Sequence, residues 1–495
     1  MADELRMRGR CAPWVLAAVM AAMTAWAHAG ERPWPLAMCS NANVLTNPEY
    51  PVKMLDAGAR MCRVDVTFPN VRPKAGDDPA GWNFSNLDRI RRLRKTHPKL
   101  EFLVLLGYGA PWAQDERFAS VTGKIGSPQR GADIQPVTDP RNLYGHYVYE
   151  TVRRYKDVTK YWESWNEPDL AGHHYFKGDG ADFFAYQKAC YLAAKKADPN
   201  CVVLFAGMCY RNVEGYLASR GLQAPSPSPA KECFFEQYLR RCVKDPDAKR
   251  NNYYFDVMNQ HTYSRATDAY DYLMVVRKLM RDHLGAEKPV WITEMGFTDK
   301  GGLFGGTPDE YCDYVLQSYA WAALAGTERL FHFQLDNSNG HGLYRGMLGE
   351  PKPVLTTYRD VLARELADTE LVGQLHGTRG VGFLEGRSPY KPDWKAGCNL
   401  FEFRSRDGER RILMAFADTA KEAVVKVPAK ADRATLIDRH NKRTVLWPRD
   451  GAYTLTLPGA TNLTGWPTAN EKTKALGEAE HLVGGATYVI VEKLR

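Results

Sequence analysis

Lys160-Tyr161-Trp162-Glu163-Ser164-Trp165-Asn166-Glu167-Pro168-Asp169-Leu170 is the stretch whose reading decides the fold. Residues 161–165 read as a short buried strand. It stops at Asn166-Glu167-Pro168, because proline has no N–H to extend a ladder. A carboxylate at a strand end, beside tryptophans and ahead of a loop, is how an active-site acid is displayed. One such carboxylate proves little. Its weight depends on whether other strands end in the same way.

Working outward, short apolar runs alternate with helical patterns over residues 35–366. Strands are expected at 35–39, 61–66, 102–106, 161–165, 202–206, 255–261, 290–293 and 330–333. Helices are expected between them. Leu87, Ile90 and Leu93 fall on one face of a helix at 85–95. Asp139-Pro140 reads as an N-cap with proline at the first helical position, opening a helix to about residue 155. Thr307-Pro308-Asp309-Glu310 reads as a capping box. After the fifth strand, Pro225-Ser226-Pro227-Ser228-Pro229 marks a long surface excursion. Eight β→α units in order predict an α/β fold, a (β/α)8 TIM barrel. The rival is a doubly wound open sheet, and no glycine fingerprint for a dinucleotide follows the first strand. After about residue 370 helical periodicity fades. Alternating runs at 398–404, 411–416, 423–427, 453–457 and 487–491 predict an antiparallel β-sandwich.

The chain has 495 residues, and a TIM barrel takes roughly 250, so there is room for the second domain. Its net charge of +8 is spread along the sequence without a long basic run, which argues against a nucleic-acid partner. Arg6, Arg8 and Arg10, an apolar run over 12–27, and Ala27-His28-Ala29 together read as a cleaved signal peptide. The expected organisation is a signal at 1–29, a barrel at 30–368 and a sandwich at 369–495. The mature protein is expected to be secreted or periplasmic, with no membrane span, since no second long apolar run follows. Cys11 leaves with the signal, so nine of ten cysteines remain. That odd number leaves at least one thiol free or paired between chains, and Cys39 and Cys62 fall inside core strands. No Cys or His cluster has zinc spacing, and no metal or cofactor is expected.

A barrel carries its active site at the C-terminal ends of its strands. Those ends supply Arg63 and Asp65, Trp112, Asn166 and Glu167, His261 and Tyr263, Glu294, and Gln334 with Asp336. The set is rich in carboxylates, aromatic rings and amides, and it has no serine nucleophile elbow or phosphate loop. Two glutamates on two different strands suit glycoside hydrolysis: one protonates the leaving oxygen, and the other attacks the anomeric carbon or activates water.

Trp165-Asn166-Glu167-Pro168 and Trp291-Ile292-Thr293-Glu294 resemble the clan A retaining glycoside hydrolases. The similarity is nearest to family 39, the β-xylosidases and α-L-iduronidases, with family 5 a related branch. The resemblance implies Glu167 as acid/base, Glu294 as nucleophile and an oligosaccharide or polysaccharide as substrate. It implies Asn166 on the substrate 2-hydroxyl and Arg63 keeping the nucleophile ionised. It also implies that His261-Thr262-Tyr263 is the His-x-Tyr element, with the tyrosine on the nucleophile. Trp112 and Gln334 join Arg63, Asn166, His261 and Tyr263 as substrate-binding candidates. One departure stands out. The clan carries a tryptophan at the end of strand eight, where this chain reads Phe331-His332-Phe333-Gln334, with Phe333 or His332 as its replacement.

Bland readings stand beside these. Glu163 reads as a structural or surface residue, and Trp82 and Trp162 as packing residues. His173-His174 either lines the cleft or caps a loop. The two glutamates have a rival reading as structural ion-pair carboxylates. Two other functions fit the same residues: a non-catalytic glycan-binding barrel, and a transglycosylase using the same pair.

Overall fold

The computed structural model describes residues 34–116, 129–170, 175–222, 230–301, 305–377, 397–462 and 481–494. The expected signal at 1–29, His173-His174 and the 225–229 excursion lie outside them. Eight strands alternate with helices: β1 (Leu36–Asn41), β2 (Met61–Asp65), β3 (Glu101–Leu105), β4 (Tyr161–Glu163), β5 (Val202–Leu204), β6 (Met258–Asn259), β7 (Val290–Met295) and β8 (Arg329–Phe333). All ladders between them are parallel, in the order β5-β4-β3-β2-β1-β8-β7-β6. Parallel bridges Leu204↔Val257 and Met208↔Gln260 join the two edge strands and bring the sheet round into a barrel.

The interior is built in layers, because successive side chains on a strand point to opposite faces. Ala37, Met61, Leu103, Tyr161, Leu204, Val257, Trp291 and Phe331 form one apolar cluster, with one residue on or beside each strand. Two positions further along come Cys39, Arg63, Leu105, Glu163, Ala206, Asn259, Thr293 and Phe333. Arg63, Glu163, Asn259 and Thr293 are all buried there. A sealed apolar floor thus carries a polar layer, and the polar layer faces the C-terminal mouth.

Beyond the barrel, a six-stranded antiparallel sheet runs β14-β13-β16-β11-β10-β9, and a two-stranded sheet pairs β12 with β15. The strands are β9 (Thr369–His376), β10 (Cys398–Ser405), β11 (Arg410–Ala417), β12 (Ala423–Pro428), β13 (Ala434–Asp438), β14 (Arg443–Leu446), β15 (Ala452–Leu457) and β16 (Tyr488–Lys493). The two sheets share one core containing Leu413, Ile490, Val427, Tyr453 and Leu457. Arg439 ties this region to the barrel, reaching Asp313 at 2.5 Å and Asp309 at 2.6 Å on the helix Pro308–Leu324.

Several local readings change. Asp139 commits its carboxylate to Arg141, so the cap of the helix Leu143–Tyr155 falls to Asn142, which accepts from the Gly145 N–H at 2.9 Å. The Thr307 capping box is present, with Glu310 donating its N–H to the Thr307 hydroxyl at 3.2 Å. A helix at Tyr210–Ala218 occupies part of what reads as loop after β5. The expected sixth strand shrinks to two residues. Trp162 is fully buried, as a packing residue should be. Cys39, Cys62, Cys190, Cys201, Cys209, Cys233, Cys242, Cys312 and Cys398 are free and buried. Among the described residues, no helix is long and apolar enough to cross a membrane.

Candidate active site

Arg63 is the hub of the polar layer. Its side chain is 1 % exposed. Its Nε donates to Glu163 Oε2 at 2.5 Å and its Nη2 to Glu163 Oε1 at 3.0 Å. Nη2 also donates to Asn166 Oδ1 at 2.8 Å, and Nη1 donates to Glu294 Oε1 at 2.5 Å. A fork with fixed donors can hold two carboxylates and an amide in one plane, which a lysine could not. Because Asn166 accepts from Arg63 through Oδ1, its Nδ2 is left as a donor toward the cleft.

Strand period alone does not bring Glu294 to the mouth. Trp291 and Thr293 face inward, so Glu294 should face out. The β7–β8 register shifts between Ile292 and Met295, and such an irregularity re-aims a side chain. The Tyr263 hydroxyl then donates to Glu294 Oε2 at 2.5 Å. Glu167 takes a different route. Its backbone sits at φ 40°, in the left-handed region. For a non-glycine residue that conformation costs roughly 1–3 kcal/mol, and such strain gathers at functional sites. Its N–H donates to Gly207 O at 2.8 Å.

A chain of hydrogen bonds runs from the buried Glu163 to Glu167. Asn259 Nδ2 donates to Glu163 Oε1 at 2.8 Å, so its Oδ1 is the acceptor for the Thr293 hydroxyl at 2.9 Å. With its proton so used, Thr293 Oγ1 accepts from His261 Nε2 at 3.0 Å. The tautomer follows from this network. His261 Nδ1 faces Glu167 Oε1 at 3.0 Å and Glu294 Oε2 at 3.8 Å. One proton therefore lies between His261 and Glu167. Burial pulls the His261 pKa down, but the Glu294 charge and the Glu167 hydrogen bond raise it above the ordinary 6.5. Burial pushes the Glu294 carboxyl up, but His261, Arg63 and the Tyr263 hydroxyl hold it below the ordinary glutamate value. Ligand atoms of Glu167, His261 and Glu294 lie within 4.8 Å of one another, a spacing that could hold a cation. A cation there would have to displace the Tyr263, Arg63 and mutual hydrogen bonds.

Gly207 makes this proximity possible. A Cβ on it would stand 2.1 Å from His261 Nε2 and 2.9 Å from Glu163 Oε1. Tyr108 and Tyr175 stack at 5.4 Å between ring centroids, half-buried, on the β3–β4 side of the mouth. Phe333 packs edge-on against Tyr263 at 5.8 Å, while His332 turns outward to Tyr311. Of the two candidates at the end of strand eight, Phe333 is the one beside the site.

The strand-end candidates thus divide. Arg63, Asn166, Glu167, His261, Tyr263 and Glu294 form one connected group. Trp112 sits apart, stacked on Phe68 at 5.6 Å and donating its indole N–H to Arg72 O at 3.0 Å. Gln334 is 3 % exposed, and its N–H donates to His341 O at 3.3 Å. Trp165 packs among Tyr144, Tyr186, Phe176 and Phe183 behind the strand rather than around Glu167. Sequence reasoning missed Asn259, Thr293, Gly207 and Tyr175. Counting inward positions two by two along each strand from the apolar layer would have found the first two. A cavity of about 460 Å³ opens beside the loop that follows Glu167, lined by Pro168, Asp169, Arg211, Lys231, Phe234 and Gln237.

No family model and no curated protein matches the chain. Solved structures do. A family 39 glycoside hydrolase from the gut symbiont Bacteroides cellulosilyticus WH2 superposes with a TM-score of 0.60 at 16% identity, covering 93% of this chain and 81% of that one. A GH30 endoxylanase from Clostridium papyrosolvens C71 gives 0.56 at 12%, covering 93% and 96%. A GH39 β-xylosidase from Caulobacter crescentus gives 0.54 at 13%, covering 94% and 97%. The likeness establishes the fold: a TIM barrel with a C-terminal antiparallel region, as in the clan A glycoside hydrolases.

Proposed function

We propose that the protein is a retaining glycoside hydrolase acting on an oligosaccharide or polysaccharide, and that residues 1–29 direct its export. The observation that carries the catalytic reading is the pairing of Glu167 and Glu294, with carboxylate oxygens within 4.8 Å across His261. A pair with carboxyl groups about 5–5.5 Å apart suits double displacement, while inversion needs about 6.5–9.5 Å for an intervening water. The named neighbours of similar fold include a β-xylosidase and an endoxylanase. Only the bond class is carried over from them.

In the first step Glu294 attacks the anomeric carbon. The bond from that carbon to the glycosidic oxygen breaks, and Glu167 gives its proton to the departing oxygen. Asn166 Nδ2 holds the 2-hydroxyl, and Tyr263 steadies the attacking carboxylate. In the second step water attacks the same carbon. Its proton passes to Glu167, the bond to Glu294 breaks, and the sugar leaves with its original configuration. With the shared proton on Glu167, Arg63 and the Tyr263 hydroxyl hold Glu294 ionised. His261 holds the acid/base through Nδ1.

The test is proton NMR of the first product formed, together with two variants. Glu294→Gln should lose turnover, and Glu167→Ala should retain activity on substrates with activated leaving groups. Product of inverted configuration, or undiminished hydrolysis by Glu294→Gln, would sink the proposal.

A further inference from the structure

Asp65 is the third inward-facing residue of β2, following Met61 in the apolar layer and Arg63 in the polar layer. Two residues along a strand is about 6.6 Å, so its carboxylate stands one level nearer the mouth than the guanidinium that holds Glu294. The residue is half-buried, and its Oδ1 is buried with no hydrogen-bond partner among the described residues. Leaving a buried acceptor unmade is costly, more so when it is charged. The obvious local partner is already taken, for Arg63 donates to Glu163, Asn166, Glu294 and, at 3.6 Å, Cys39. Tyr108, Tyr175 and Glu294 are near enough for their ionisation to be coupled to that of Asp65. Asp65 therefore fronts the same space as the nucleophile, on the side of the barrel across from β7.

Resting on the glycosidase reading, we propose that Asp65 is a specificity-determining residue that accepts hydrogen bonds from hydroxyls of the sugar attacked by Glu294, on the part of the ring away from its anomeric carbon, and so selects a neutral sugar over a uronic acid. Oδ1 is closed to solvent, so a sugar hydroxyl would donate to the open side of the carboxylate, which has no partner of its own among the described residues. A sugar carboxylate supplies no donor, and it would enter a layer where Glu163 and Glu294 already outnumber Arg63, joined by Asp65 above the value of about 6 to which burial pushes it. Like charges at short range in a low-dielectric cleft are strongly disfavoured.

The experiment compares the wild type with Asp65→Asn and Asp65→Ala on aryl glycosides of neutral pentoses and hexoses, their singly deoxygenated analogues, and hexuronic acids. The wild type should favour neutral glycons. Both variants should lower kcat/KM on them by roughly 10- to 100-fold, the worth of a hydrogen bond to a charged group. The deoxy analogue lacking the contacted hydroxyl should lose a similar factor in the wild type and little more in the variants. The ratio of uronide to neutral cleavage should rise in Asp65→Asn. An equal loss on every substrate, no loss at all, or a wild type that prefers uronides overturns the proposal while leaving the glycosidase reading intact. If the wild type cleaves nothing, that reading fails. Calorimetric binding of the same free sugars to wild type and Asp65→Asn then decides, and equal affinity of both proteins for neutral sugars overturns the role of Asp65.

Discussion

The barrel and the β region each bury an arginine between two glutamates, and they use it differently. In the barrel, Arg63 holds Glu163 and Glu294, with side chains 1 %, 0 % and 11 % exposed. In the β region, Arg411 holds Glu402 at 2.8 Å and Glu492 at 2.9 Å, with side chains 3 %, 5 % and 0 % exposed. The charges match, but the remaining hydrogen-bonding capacity does not. Glu492 Oε1 accepts the N–H groups of Lys430 at 2.7 Å and Ala431 at 3.1 Å, and Lys430 Nζ closes over Glu402 at 3.4 Å. That triad is sealed by its own backbone. Glu294 is instead aimed into the mouth by a register shift, beside a histidine and a second carboxylate. A buried ion triad becomes chemistry only where one member is left facing something outside the fold.

The largest contrast should come from removing the charge of the third member. Glu294→Gln should cost about 10⁴-fold or more in kcat, the scale for a group that acts as a unit with its site. Glu492→Gln should leave kcat unchanged and cost about 1–3 kcal/mol of stability through mismatched buried donors. Kinetics and thermal melts of both variants check this. A kinetic defect in Glu492→Gln would break the comparison.

Next in size are the arginines. Removing one partner of a buried pair costs about 3–5 kcal/mol, and denaturant titration should show that for both Arg63→Met and Arg411→Met. Only Arg63→Met should also move the pH profile. Glu294 is held below the usual 4.5, so the acid limb of kcat/KM lies below that value in the wild type and rises in the variant. The linkage has the matching sign. The depressed carboxyl contributes stability above its unfolded value, and that contribution is lost as pH falls through its folded value.

His261→Gln should shift the acid limb in the same direction and by less, because His261 helps hold Glu294 below its ordinary value. A pH–rate profile whose acid limb stays put would show that His261 acts through geometry alone. The smallest effect belongs to Lys430→Met. Its side chain is 48 % exposed, and screened pairs of this kind are worth about 1 kcal/mol or less.

The barrel was legible because period two and period three-and-a-half alternate eight times, and the strand-end residues could then be collected. Glu167 and Glu294, picked from two strand ends, lie with ligand atoms within 4.8 Å of one another. The support beneath them was harder to see. Glu163 reads as a structural or surface residue with no partner in view, and it is fully buried on Arg63. Its partner lies 100 residues away, a pairing that only barrel closure creates. The Tyr210–Ala218 helix escaped notice because its cap, Cys209, is not a typical capping residue. β13 and β14 escaped because their faces do not alternate cleanly between buried and exposed. Trp165 shows the limit of proximity in sequence, since it packs away from the acid two residues on.

The apolar layer of Ala37, Met61, Leu103, Tyr161, Leu204, Val257, Trp291 and Phe331 closes the barrel from below. Among the described residues the polar layer then opens only at the C-terminal mouth, and on the proposed reading substrate, leaving group and water share that opening. Arrival order becomes part of the chemistry. On that reading the water that frees the sugar would enter by the path the leaving group has vacated, and a second sugar waiting there would compete for the same opening. On the proposed reading, whether the barrel hydrolyses or transfers thus depends on what occupies that entrance.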